Sequence, residues 1–324
     1  MHAIRQYEFG PPEALRYEEV DDPVPDAGQV GIAVEVAGVH LVDTMIRRGA
    51  PGGPYPPPEL PMVPGREVGG VVTAVGPGAD AGWLGRRVAA HLGSASGGYA
   101  EQAVAPAESL HAVPDGLDTA GAVAMIGTGR TAVGVLDTAA LQARDVVIVT
   151  AAAGGLGSLF VQASLRAGAV VVALAGGAEK LDRVRRLGAT VAVDYLAPAW
   201  PQRVRDALGS RHPTVLLDGV GGEFGTAAAG LLGAGGRLVQ FGQASGEPAD
   251  TADAAARGVV VSWGIGPALA ERPGGLRELQ RRALADAAAG HWTAALQPFP
   301  LAAAARAHAA LESRATSGKV VLLP

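Results

Sequence analysis

The chain has 324 residues, 48% hydrophobic and 18% charged, which is enough for two domains that each bury a core. A formal net charge of −5 argues against nucleic acid or an anionic membrane as the main partner, and no uninterrupted apolar run approaches the roughly 18 residues of a membrane span. Cysteine is absent, which excludes disulfides, thiolate catalysis and the usual soft ligands of a structural zinc.

MHAIRQYEFG at the start carries charge where a signal peptide needs an apolar core, so the chain reads as soluble and cytoplasmic. Residues 1–115 read as β structure with irregular loops. Gln29–Val39 alternates through Val30, Ile32, Val34 and Val36, and Val68–Val75 is rich in Val and Gly. Trp83–Ala90 and Gly98–Val104 give two further strands. Between them Gly49–Pro64 is too proline-rich for regular structure and predicts a surface loop, with Tyr55, Leu60, Met62 and Val63 to pack it. Leu117–Leu141 turns Ala-rich with helical spacing, ending near Ala143.

Asp145–Ala175 is the most informative stretch. Val146–Thr150 is a β-branched run with no polar interruption, as in a parallel strand covered on both faces. Ala151–Gly157 supplies small residues for a sharp turn. A helix follows from Leu156, with Leu159, Phe160, Ala163 and Leu165 at helical spacing and Gly168 as its stop. Strand, glycine-rich turn and helix make an anion site, because small residues admit a pyrophosphate and the helix start offers free N–H groups. Ala153, Gly154, Gly155, Leu156 and Gly157 are the residues placed to line it.

Alternation continues: helix Glu179–Leu187, strand Thr190–Val193, helix Pro201–Leu208, strand Thr214–Asp218, helix Glu223–Leu232, strand Gly236–Phe241 and last strand Gly258–Trp263. This predicts an α/β fold with a doubly wound parallel sheet. A helix over Gly274–Ala289 and a strand over Gly318–Leu323 close the chain, and the tail is expected to return to the amino-terminal domain.

NAD sites place a carboxylate near the end of the second strand, on the ribose hydroxyls. Here that strand ends Ala173–Leu174–Ala175–Gly176–Gly177, with no acid. Lys180 follows, a cation suited to a 2′-phosphate, which predicts NADP(H). Lys180 and Lys319 are the only lysines, the other basic residues being arginine, so each poses a question.

Several segments together resemble the medium-chain dehydrogenase/reductases, in their zinc-free quinone oxidoreductase branch. They are GVHLVD (Gly38–Asp43), PGREVG (Pro64–Gly69), GYAE (Gly98–Glu101), AAGGLG (Ala152–Gly157) with Gln162, FGQASG (Phe241–Gly246) and RATSGKVVLL (Arg314–Leu323). The resemblance implies a discontinuous GroES-like catalytic domain, 1–120 with 267–324, and an NADP(H)-binding Rossmann domain, 121–266. It implies that Lys180 and Tyr195 hold the 2′-phosphate beside Gly176, with Arg314 a phosphate-side contact. Thr131 would border the nicotinamide, Val220, Phe241, Gly242 and Ser245 would line that half of the cofactor, and Lys319 would lie near it. Gly258–Trp263 resembles an edge strand that pairs across a homodimer.

Zinc-containing relatives use Cys where this chain has His40 and His where it has Arg66, which leaves His40 and Glu67 short of the usual three ligands and predicts no metal. The quinone reductases generally have Asn at the place of His40. His40 is either a donor to a substrate oxygen, with Asp43 one turn on to orient or charge it, or a polar residue that only orients its neighbours. His91, His111, His212, His291 and His308 read as surface or packing residues. The resemblance implies an NADPH-dependent reductase of a small electrophile, a quinone or an α,β-unsaturated carbonyl. The alternatives are an enoyl-thioester reductase of a biosynthetic pathway, or a cofactor-binding sensor or crystallin-like store with little turnover.

Overall fold

A hairpin that the sequence pattern does not announce opens the chain: β1 (His2–Gln6) runs antiparallel to β2 (Leu15–Glu19). The computed structural model describes residues 1–49, 57–93 and 96–324, so Tyr55 lies outside it. It comprises two compact units, Met1–Thr128 with Ala294–Pro324, and Gly129–Thr293.

In the first unit β3 (Gln29–Val39) buries Val30, Ile32, Val34 and Val36. Helix α1 (Leu41–Arg48) follows directly and ends at Gly49 in the left-handed conformation. Next come β4 (Glu67–Val75), β5 (Arg87–His91), β6 (Gln102–Pro106), β7 (Leu110–Ala112) and α2 (Thr119–Ala124), which runs into a π turn, Met125–Gly129. Two strands start later than their apolar runs suggest. Ala81–Trp83 forms a 3-10 turn capped by Asp80, and the N–H groups of Gly97, Gly98 and Tyr99 are spent on the carbonyls of Val63, Gly65 and Pro64.

The second unit contains α3 (Arg130–Ala139), β8 (Val146–Val149), α4 (Gly155–Arg166), β9 (Val170–Ala175), α5 (Ala178–Arg186), β10 (Val191–Asp194), α6 (Trp200–Leu208) and β11 (Val215–Asp218). Then follow α7 (Gly222–Ala229), β12 (Arg237–Gln240), α8 (Ala252–Ala256), β13 (Val260–Trp263) and α9 (Gly275–Ala288). Its six strands are all parallel, in the order β10-β9-β8-β11-β12-β13. Winding reverses between β8 and β11, and the carboxyl ends of those strands are where such sheets bind ligands. Val146, Ile148, Leu174, Leu216 and Leu238 anchor the core.

The chain returns to the first unit through β14 (Leu296–Pro300), α10 (Ala304–Glu312) and β15 (Lys319–Leu323). Its large sheet is ordered β14-β15-β3-β4-β5-β7, with β6 also on β3, over a core of Ile32, Val68, Tyr99, Leu110 and Leu322. The return falls at Ala294 rather than at 267, and the outward crossing at 128 rather than 120. The reason is α9, which packs on α3: Leu269 fills the space over Gly134, and Arg272 and Arg282 both bind Asp137. Thr119–Ala139 is long and apolar enough to cross a membrane by length and composition, but 78% of its apolar window is buried, as in a core helix.

Candidate functional site

The second unit builds the cofactor cradle. Val146–Val149 are all buried, and Ala151 then takes a left-handed φ of 46°. The Gly154 N–H closes the turn on the Ala151 carbonyl at 2.9 Å. Helix α4 starts at Gly155 with no side chain capping it, so helix geometry leaves the N–H groups of Gly155 and Leu156 pointing outward without carbonyl partners. Gly157 lets the helix sit against the strand, since a Cβ there would come within 2.7 Å of Ala152 Cα and closer still to the Ala151 carbonyl.

Buried Asp218 ties the two central strand ends together. It accepts from Thr150 Oγ1 at 2.8 Å and from the Val220 N–H at 3.0 Å, while Thr150 Oγ1 takes the Gly219 N–H at 2.9 Å. Val220 in turn accepts the Ser245 N–H at 2.8 Å. Phe241 is packed as a core aromatic, 4.8 Å from Phe160 and pressed on Gly219, and Gly242 abuts the Gly219 carbonyl. Strand β9 ends at Ala175 without an acid. The nearest one, Asp194, is turned onto the N–H groups of Gly177 at 3.2 Å and Leu196 at 2.9 Å. Lys180 stands in the first turn of α5, and Tyr195, stacked edge-on against Phe224, lies beside Gly176. Thr131 is half-buried in the first turn of α3.

The first unit builds a second constellation, and strand register assembles it. Val320 pairs with Val39 and Gly38 with Glu67, so the ends of β15, β3 and β4 place Lys319, His40 and Glu67 together. His40 Nε2 lies 2.7 Å from Glu67 Oε2, Lys319 Nζ lies 2.9 Å from the same oxygen, and Nζ and Nε2 are 2.8 Å apart. Glu67 is 0% exposed and Lys319 4%, whereas His40 shows 22%. The carboxylate fits because Gly38 and Gly127 pave its two sides; a Cβ on either would collide with it. Burial pushes the Glu67 carboxyl up, yet the charges of His40 and Lys319 outweigh this and hold it well below the usual carboxylate range.

Asp43 closes a capping box with His40 at the start of α1, its backbone N–H directed at the His40 side chain. Its Oδ2 accepts the His40 backbone N–H at 2.7 Å, fixing the start of α1, and its Oδ1 binds Arg66 at 3.1 Å. Burial raises this carboxyl, and the charges of His40 and Arg66 more than offset it, so it stays below its ordinary value.

Residues 26–115 match the family "Alcohol dehydrogenase GroES-like domain" and residues 155–274 match "Zinc-binding dehydrogenase". The quinone oxidoreductase of Sus scrofa is 30% identical, covering 100% of this chain and 98% of its own. A 2-haloacrylate reductase of a Burkholderia species is 32% identical, over 97% and 96% respectively. The chain belongs to the zinc-independent quinone oxidoreductase branch of the medium-chain dehydrogenase/reductases. The Escherichia coli quinone oxidoreductase complexed with NADPH superposes with a TM-score of 0.86 at 26% identity, covering 100% of both chains.

A resident zinc does not fit this member of the branch. Among the described residues no three His, Cys, Asp or Glu side chains converge as ligands, and the Lys319 ammonium already sits against both His40 and Glu67. Of the residues the resemblance marks, the structure groups Ala153 to Gly157, Val220, Gly242 and Ser245 around the central strand ends, and Gly176 with Tyr195. It brings Lys319, expected at the nicotinamide, onto His40. Arg314 is an exposed left-handed residue after α10, at φ 57°. Sequence reasoning missed Glu67 as an ion-pair centre and His308 as a buried network member. The scarcity of lysine was the one signal pointing at the first.

Proposed function

We propose that the protein is an NADPH-dependent reductase that transfers hydride to a quinone or an α,β-unsaturated carbonyl. One observation carries the reading: the uncapped start of α4 stands beside a second strand that ends in Gly176–Gly177, with Lys180 following. The relatives support it, since a quinone and a haloacrylate are both electron-poor conjugated acceptors.

The bound nicotinamide supplies the hydride. The Gly155 and Leu156 N–H groups take the pyrophosphate, and Lys180 and Tyr195 take the 2′-phosphate, with Arg314 as a further phosphate contact. Thr131, Val220, Phe241, Gly242 and Ser245 shape the nicotinamide half. Phe241 acts through packing, since its ring is committed to Phe160. Hydride addition leaves an oxyanion on the acceptor, and His40, the member of its cluster with an exposed edge, gives that oxygen a proton. We further propose a homodimer through the outer edge of β13, which pairs only with β12 among the described strands and leaves Val260, Val261 and Trp263 exposed.

A screen of NADPH oxidation over quinones, enones and enoyl thioesters tests the function. Turnover with quinones or enones is expected. Activity confined to enoyl thioesters would instead mark a biosynthetic reductase, and tight NADPH binding with no turnover would mark a sensor or store.

A further inference from the structure

Lys180 and Tyr195, the two residues assigned to the 2′-phosphate, come from different segments. Lys180 stands in the first turn of α5, and Tyr195 follows the last residue of β10. Strand register sets Asp194 opposite Ala175, which ends the sheet just below both side chains. Above that level a carboxylate joins the two segments. Asp194 Oδ2 accepts the Gly177 N–H at 3.2 Å, and Asp194 Oδ1 accepts the Leu196 N–H at 2.9 Å.

Each bond fixes the backbone that carries one of the two residues. Gly177 precedes α5 at φ 86° and ψ 158°, a conformation open essentially to glycine alone, and it has no side chain to cap the helix. The bond from Asp194 holds that backbone and sets a negative charge at the helix start, where the helix dipole favours one. On the other side Asp194 builds an Asx turn. Its side chain takes the N–H two residues on, and its carbonyl takes the Ala197 N–H at 3.2 Å. That turn stands Tyr195 and Leu196 over Gly176, where a Cβ would lie 3.7 Å from Tyr195 Cζ and 2.9 Å from Leu196 Cδ1.

We propose that Asp194 is the positioning residue of the 2′-phosphate seat: by tying Gly177 to Leu196 it holds Lys180 and Tyr195 at the separation at which both reach one phosphate group. This deepens the reductase reading and rests on its assignment of those two residues to NADPH. Charge alone would give Asp194 the opposite role, because an acid beside a phosphate repels it. Each of its oxygens is instead turned onto a backbone N–H, and the acid acts through geometry.

The two roles predict opposite signs for Asp194→Asn. The amide keeps the size of the side chain and removes its charge, but its single oxygen serves only one of the two N–H groups. Isothermal titration should show NADPH bound about three- to tenfold more weakly, the worth of one hydrogen bond, with NADH affinity unchanged. Asp194→Ala, which loses both ties, should weaken NADPH further and again spare NADH. With a quinone or enone, the KM for NADPH should rise in both variants at unchanged kcat. Amide exchange of the cofactor-free protein reads the tie itself: the Gly177 and Leu196 N–H groups should be protected in the wild-type protein and exchange faster in Asp194→Ala. Fast exchange of both in the wild-type protein overturns the proposal. So does an Asp194→Asn variant that binds NADPH as tightly as the wild-type protein or more tightly, and so does an equal loss of NADPH and NADH affinity. If the alanine variant fails to fold, the asparagine titration and the wild-type exchange still decide. Equal affinity of the wild-type protein for NADPH and NADH sinks the NADPH reading, whereas a wild-type preference for NADPH that survives Asp194→Asn intact sinks this proposal alone.

Discussion

The Tyr99 hydroxyl lies 3.1 Å from His308 Nε2, and the same oxygen lies 3.4 Å from Asp43 Oδ2, so a buried phenol links a buried imidazole to a buried carboxylate. Tyr99 is a poor acid here, since burial and the Asp43 charge raise its pKa well above the ordinary value. One assignment satisfies the chain: His308 donates from Nε2 to the phenol oxygen, and the phenol donates to Asp43. The remaining nitrogen, Nδ1, then holds an unpaired lone pair, less costly to bury than an unpaired N–H.

Acid should therefore weaken the fold before any carboxylate titrates. Burial lowers the pKa of His308 from 6.5 to about 4. The unfolded chain takes up a proton below pH 6.5 that the folded chain refuses, so stability is full above that value and falls as pH drops toward 4. The loss should be about 2 kcal/mol between pH 7 and pH 5, measured by urea unfolding. His308→Gln should flatten that slope. Asp43 and Glu67, held below their ordinary values, add their own loss only at lower pH. A slope unchanged by the substitution would place the titration elsewhere.

That network also shows what sequence can reveal. The parallel sheet was legible because Val146–Val149 and Val171–Ala175 are buried on both faces, which requires unbroken apolar runs. Helix α1 was not, because its buried residues are Asp43, Thr44 and Arg47 while Leu41 is exposed, the inverse of an amphipathic pattern. His308 read as a surface or packing residue, since nothing local distinguishes a buried imidazole from an exposed one. The cradle was legible as a local motif. The His40–Lys319 contact joins residues far apart in the chain, and only the β3–β15 register brings them together.

Arg47 gives a stability prediction of a different kind. Its guanidinium is 1% exposed and binds Glu312 at 2.6 Å and the Gly10 carbonyl at 3.1 Å, with the other terminal nitrogen unpaired. Glu312→Ala should cost about 3 kcal/mol or more, because it strands a buried cation. The double variant Arg47→Met with Glu312→Leu should recover most of that loss. Additive losses in urea unfolding would contradict the coupling.

Lys180 should decide the choice of nicotinamide cofactor. In isothermal titration the wild-type protein should bind NADPH more tightly than NADH. Lys180→Ala should weaken NADPH binding about 10- to 100-fold, the value of one charge-assisted hydrogen bond, and leave NADH unchanged. Equal affinities in the wild-type protein would refute the 2′-phosphate role.

The β13 edge makes its own prediction. Val260 and Trp263 are exposed on a strand that pairs only with β12 among the described residues. Such an edge invites pairing with another chain. Light scattering should give a dimer mass, and Val260→Lys with Trp263→Lys should give a monomer that still binds NADPH. A wild-type monomer would remove the proposed interface.

Two glycines of the phosphate turn should respond very differently to a side chain. At Gly157 a Cβ meets Ala151 and Ala152 backbone, with Ala152 Cα at 2.7 Å, and backbone of a central strand cannot give way. Gly157→Val should lift the start of α4 from the turn and weaken NADPH binding by about tenfold or more, since the N–H groups aimed at the pyrophosphate move with the helix. At Gly154 the nearest atom is the Ala151 carbonyl oxygen at 3.2 Å, and φ is −78°, open to any residue. Gly154→Ala should keep the helix start in place and cost less NADPH affinity than Gly157→Val, acting only through a methyl group where the pyrophosphate approaches. Titration of both variants with NADPH, with circular dichroism to confirm that each is folded, separates the two positions. Equal responses would mean that the turn binds through the shape of its loop and not through the placement of the helix.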